Sequence, residues 1–77
     1  MAPNITIYST ENCSYCLKAK AFFKKIGRDF KEVSMADNPK EVLEAMNSLG
    51  VVGGFPIIRI GNNVVQGFNP IRIAELL

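Results

Sequence analysis

The chain has 77 residues and a net charge of +2, with 48% of residues hydrophobic and 21% charged. That length suits one small domain, read here as residues 1–77, and the apolar share is enough for a compact core. So small a charge gives no basis for binding nucleic acid or anionic membranes, and no apolar stretch approaches the ~20 residues that span a bilayer.

In chain order, residues 4–8 predict a buried strand, with Ile5-Thr6-Ile7-Tyr8 as its β-prone run. So few residues precede it that a signal peptide has no room, and the expected location is the cytoplasm. Asn12 predicts the N-cap of a helix over 13–26, ended by Gly27, with Phe22, Phe23 and Ile26 on its apolar side. Lys18, Lys20, Lys24 and Lys25 cluster on that helix and read as a solvated face. Phe30 to Ser34 alternates as a second strand. Asp37-Asn38-Pro39 then starts a second helix, with Asn38 as cap, Pro39 at the first position and Glu41 three residues after the cap. Its stripe is Val42, Leu43, Met46 and Leu49, and Gly50 stops it. Ile57 to Ile60 is a third strand, Gly61-Asn62-Asn63 a tight turn, and Val64 to Gln66 a fourth strand. Asn69-Pro70 opens a short last helix with Ile71, Ile73, Ala74 and Leu77 on its apolar side. The order is β-α-β-α-β-β-α, an α/β arrangement with a central four-stranded mixed sheet flanked by three helices. The crossover rule predicts that strands 1 and 2 are parallel, and so strands 1 and 3, with the last two strands an antiparallel hairpin.

The two cysteines of the chain stand in one motif, Cys13-Ser14-Tyr15-Cys16, between the first strand and the first helix. In that context C-x-x-C reads as a redox dithiol. A cysteine at the first turn of a helix meets unpaired N–H groups and the positive end of the helix dipole, which favour the nucleophilic thiolate. Cys13, at the helix end, is expected to attack, and Cys16, one turn inside, to resolve the mixed disulfide. A structural zinc site needs about four ligands, and with no His and no third Cys this chain cannot complete one alone. A metal or cluster shared between chains stays open, as do two inert buried thiols. A stabilising disulfide is disfavoured because so short a loop removes little unfolded-state entropy.

With those residues in place, the chain resembles the glutaredoxin family, small members of the thioredoxin fold. The shared landmarks are the early Cys-x-Tyr-Cys, Pro56 before the third strand, and Gly67 before the last helix. The resemblance implies a cis bond before Pro56, a Phe55 backbone that pairs with an extended substrate, and Tyr15 lining a groove shared with Thr10, Ser14, Gly67 and Phe68. It also implies a thiol–disulfide oxidoreductase that reduces protein disulfides or glutathione mixed disulfides, with glutathione as co-substrate and no permanently bound cofactor. The expected partners are disulfide-containing proteins, the expected state a monomer, and neither nucleic acid nor membrane is a partner.

The departures from the family pattern shape the expectation further. Ser14 replaces the usual Pro, Thr10 and Glu11 stand where a basic residue is usual, and Gln66-Gly67-Phe68-Asn69-Pro70 lacks the acidic pair that holds the glutathione amino end. Each lost charged hydrogen bond weakens glutathione binding by ~1–3 kcal/mol. Lys18 or Lys20 is a candidate substitute for the missing base. Gly-Phe-x-Pro resembles instead the NrdH-like redoxins, which take electrons from thioredoxin reductase and pass them to ribonucleotide reductase. Ser14 also resembles glutaredoxins in which two chains share an iron–sulfur cluster through the first cysteine, here Cys13, and glutathione; no other metal ligand is expected.

Overall fold

The computed structural model describes residues 4–77. Its elements are β1 (Ile5–Ser9), α1 (Ser14–Lys25), β2 (Lys31–Ser34), α2 (Pro39–Leu49), β3 (Ile57–Ile60), β4 (Asn63–Gln66) and α3 (Pro70–Leu76). One four-stranded sheet runs in the order β2-β1-β3-β4. β1 pairs with β2 in parallel, and β3 pairs antiparallel with both β1 and β4.

The two faces of the sheet follow from strand alternation. On one face Ile5, Ile7, Ile58, Ile60 and Val65 meet Ala19 and Phe23 of α1 and Ile73 of α3. Phe22, Phe30, Phe68 and Leu76 complete that cluster. On the other face Tyr8, Val33 and Ile57 meet Val42 of α2, with Met46, Leu49, Val51 and Phe55 packed around them. The result is three layers, with α1 and α3 on one side and α2 on the other. Among the described residues, no helix is long and apolar enough to cross a membrane.

One expectation about the sheet is overturned: strands 1 and 3 are antiparallel, with Tyr8 opposite Ile57 and Ile5 opposite Ile60. A parallel pair would need the second crossover to carry the chain to the opposite end of the sheet. Instead α2 is followed by a loop over 50–56, in which Gly50, Gly53 and Gly54 have φ of 70°, 69° and 75°. Those left-handed turns are open to glycine at little cost, and they deliver the chain back to the end where β1 finishes. Five residues assigned to apolar stripes are also exposed, namely Ile26, Leu43, Ile71, Ala74 and Leu77. One neighbour on each helix already fills the available contact with the sheet: Phe23, Val42 and Ile73, each fully buried.

Candidate active site

β1 ends at Ser9, and the chain turns over Thr10, Glu11 and Asn12 before α1 begins. Asn12, expected as the N-cap, instead sits at φ 55°. Asn tolerates that left-handed conformation better than most side chains. The cap is Cys13, in extended backbone, and its Sγ accepts a hydrogen bond from the Cys16 N–H at 3.1 Å. α1 accordingly runs over Ser14–Lys25, not 13–26. Sulfur takes the place that a Ser or Asp oxygen usually fills at a helix start.

The two cysteines form a disulfide, with their Cα atoms 5.2 Å apart. They differ in access: Cys13 is half-buried, whereas Cys16 keeps only 2% of its surface exposed. A groove of about 530 Å³ opens beside them, lined by Ser9, Thr10, Cys13, Ser14, Cys16 and Lys20, with Glu32 and Ser34 on its far wall. A larger hollow of about 620 Å³ lies away from the dithiol, between Asn4–Thr6 and Gly27–Lys31. It holds neither cysteine, so chemistry and not size selects the smaller groove.

The groove contains a polar cluster that the sequence reading did not find. Glu32 Oε2 accepts from Lys20 Nζ at 2.8 Å and from Ser9 Oγ at 3.1 Å. The Lys20 ammonium, acting first as hydrogen-bond donor, holds the Glu32 carboxyl below its ordinary value of 4.5; burial opposes this and the Ser9 bond adds to it. Lys20 is thus paired, and does not sit on a solvated face as expected. A signal for Glu32 existed in the strand period. Phe30, Glu32 and Ser34 alternate onto one face, and Phe30 packs in the core beneath α1, so a carboxylate on that face has to find a donor there.

The remaining sequence-derived site residues divide into two sets. Thr10 and Ser14 line the groove beside Cys13. Tyr15 is 55% exposed with Lys18 Nζ 4.9 Å above its ring, a cation–π contact at the mouth of the dithiol loop. Glu11 is exposed and does not line the groove. Phe55 and Pro56 lie at the same end of the sheet, because Ile57 pairs with Tyr8. The Phe55–Pro56 bond is cis, as the resemblance implies. The Gly67 N–H donates to the carbonyls of Gly54 at 3.0 Å and Pro56 at 2.8 Å, which ties the turn before α3 to the proline loop. Phe68 is different: its ring packs edge-on against Phe22 at 5.9 Å and belongs to the core. Asn69 caps α3, its Oδ1 accepting from the Arg72 N–H at 3.1 Å. Among the described residues there is no group of three or more His, Cys, Asp or Glu side chains that could hold a metal ion.

The layer order and the helix-capping dithiol define a thioredoxin-like redox protein. Comparison with known proteins narrows this. The family model for glutaredoxin matches residues 5–65, and the chain belongs to the glutaredoxin family. It is 42% identical to an uncharacterized glutaredoxin-like 8.6 kDa protein of the rubredoxin operon in Clostridium pasteurianum, over 95% of this chain and 96% of that one. It is 32% identical to a glutaredoxin of Pseudomonas aeruginosa, over 95% of this chain and 86% of that one. Among solved structures, the glutaredoxin-like NrdH-redoxin of Escherichia coli, described as having a thioredoxin-like activity profile, superposes with a TM-score of 0.81. The two are 30% identical, and the match covers 96% of this chain and 95% of that one.

Proposed function

We propose that this protein is a dithiol thiol–disulfide oxidoreductase that reduces protein disulfides or glutathione mixed disulfides. The observation that carries the reading is the asymmetry of the dithiol: a half-exposed sulfur capping a helix at Cys13, and a buried one behind it at Cys16. An N–H donor and the helix dipole both favour negative charge on Cys13, and its exposure lets a substrate reach it. The Cys13 thiolate attacks one sulfur of the substrate disulfide and expels the other as a thiolate, leaving a mixed disulfide on Cys13. Cys16 then attacks Cys13 Sγ, the Cys13–Cys16 bond forms, and the substrate leaves reduced. In the oxidised state Cys13 and Cys16 are joined, and an external thiol or reductase restores the dithiol. The Phe55 main chain, joined by a cis bond to Pro56 at the end of the sheet where β1 finishes, supports a role in pairing with substrate backbone, as an added strand does. The protein acts as a single domain, as a monomer, in the cytoplasm.

A second reading, favoured by a specific observation, is an NrdH-like redoxin reduced by thioredoxin reductase and serving ribonucleotide reductase. The side chains that could replace the family's glutathione contacts are already engaged: Lys20 with Glu32, and Asn69 as the cap of α3. Lys18 is engaged over the Tyr15 ring, outside the groove that Lys20 lines. Steady-state turnover with glutathione and glutathione reductase, set against turnover with thioredoxin reductase, separates the two. The expected result is disulfide reduction with both, and a glutathione KM raised above that of glutaredoxins carrying the charged pair. A low-micromolar glutathione KM removes the NrdH-like reading. Absence of disulfide reduction with either donor removes both.

A further inference from the structure

The groove beside the dithiol contains an ion pair for which the exchange chemistry described above has no role. Cys13 caps α1, and Cys16 and Lys20 follow at spacings of three and four residues, so the three lie along one stripe of the helix. All three line the same groove. Side chains four residues apart on a helix have Cβ atoms about 5–6 Å apart, which puts the Lys20 stem directly beyond Cys16. From the opposite wall, β2 presents Glu32, whose Oε2 binds both Lys20 and Ser9. Ser9 is itself buried, so the carboxylate is anchored to the end of β1.

Cys16 is buried, and burial disfavours the thiolate that the resolving step requires. The charged groups on the walls around it are few. Lys20 comes from α1 and Glu32 from β2; Lys24, one turn further along α1, acts on Glu32 through space. β1 brings the uncharged Ser9, while Tyr8 packs on the other face of the sheet. Cys13 carries no charge once it is in a mixed disulfide.

We propose that Lys20 and Glu32 set the rate of the resolving step in opposite senses, Lys20 by stabilising the Cys16 thiolate as it forms and Glu32, anchored by Ser9, by partly neutralising that ammonium. Both are positioning residues, and the proposal rests on the dithiol reading above. In this step the Cys16 S–H proton passes to water in the open groove. The thiolate attacks Cys13 Sγ and forms the Cys13–Cys16 bond. The bond from Cys13 to the substrate breaks, its electron pair stays on the substrate sulfur, and that sulfur takes up a proton. The substrate disulfide is the only oxidant needed.

The two partners have opposite signs of effect. Lys20→Met removes the cation and leaves a carboxylate facing Cys16, which disfavours the thiolate. Glu32→Gln leaves the cation unneutralised, which favours it. Loss of a merely structural ion pair would move both variants the same way.

In the test, the reduced full-length protein is mixed rapidly with glutathione disulfide or a peptide disulfide, and formation and decay of the Cys13 mixed disulfide are followed across neutral pH. Lys20→Met is expected to slow decay about three- to tenfold, because a one-unit rise in the thiol pKa lowers thiolate tenfold while the stronger nucleophile recovers part of it. Its pH profile moves to the alkaline side. Glu32→Gln moves the profile to the acid side, and Lys20→Arg restores the original rate. Alkylation of Cys16 in a Cys13→Ser background should rank the variants in the same order and needs no turnover. Shifts in the same direction, or profiles that do not move, overturn the assignment. If no mixed disulfide forms on Cys13, the dithiol reading falls as well. If it forms and decays alike in every variant, only the role of Lys20 and Glu32 falls.

Discussion

The two halves of the chain contribute to the candidate site in different ways. From β1 to β2 the contribution is side-chain chemistry: two sulfurs, the hydroxyls of Thr10 and Ser14, and the Ser9–Glu32–Lys20 cluster. From the proline loop to α3 it is main chain: the Gly67 N–H bridges the Gly54 and Pro56 carbonyls, and the nearby Phe68 ring faces the core instead of the groove. Reactivity therefore depends on residue identity in the first half. In the second half, shape depends on positions that tolerate few side chains.

The first way to break that comparison is at the cysteines, where the largest effect is expected. Cys13→Ser should reduce disulfide turnover to the uncatalysed background, while Cys16→Ser keeps the first attack and accumulates the mixed disulfide, detectable by intact mass. Full insulin reduction by Cys16→Ser would contradict the dithiol route. Next in size is the packing that holds the dithiol helix on the sheet. Phe23, on the sheet-facing side of α1, is fully buried, and Phe23→Ala should cost about 3–5 kcal/mol in chemical denaturation. An effect below 1 kcal/mol would mean that α1 is not anchored there.

The glycines sharpen the contrast within the second half. Gly54 has φ +75°, and an added Cβ would lie 3.2 Å from Gln66 Nε2; at Gly67, φ is +78° with nothing within 4 Å. Both alanine variants carry a backbone cost of about 1 kcal/mol, and Gly54→Ala adds a close approach to Gln66, whose Nε2 donates to the Gly53 carbonyl at 3.1 Å. Gly54→Ala should therefore be the less stable of the two in thermal melts, and equal melting temperatures would count against the Gln66 tether. The smallest effect belongs to Glu32. Its pKa is lowered in the fold, so its contribution to stability is present above the unfolded value and is lost as pH falls through the folded one. The side chain is about one-third exposed, so after solvent screening the contribution is under about 1 kcal/mol. Wild type and Glu32→Gln should differ slightly at neutral pH and converge in acid below 4.5. A difference that grows on acidification would reverse the sign of the shift.

Much of this was legible before any coordinates. Local rules placed the seven elements because each rests on residues near in sequence. Asn69-Pro70 starts α3 with its cap bond in place, Gly50 ends α2 in the left-handed region, and C-x-x-C falls at the start of α1. The dithiol motif at the start of α1 needed no more than a helix start and a spacing of three. What needed the tertiary structure was every feature that depends on where distant segments meet. The direction of β3 against β1 is set by how far the 50–56 loop returns, a property of several backbone angles together and of no single residue. The Glu32 partnership depends on α1 packing against β1 on the face where the neighbouring β2 presents Glu32, which brings Lys20 and Ser9, 12 and 23 residues earlier in the chain, to one carboxylate oxygen. The cap itself changed hands for a similar reason. A propensity scale favours Asn12, but once the chain turns through Asn12 after β1, the Cys13 sulfur is the acceptor that reaches the Cys16 N–H. Spacing and composition determine which groups are available for chemistry; packing determines which of them share a groove, because burial and ion pairing act through space.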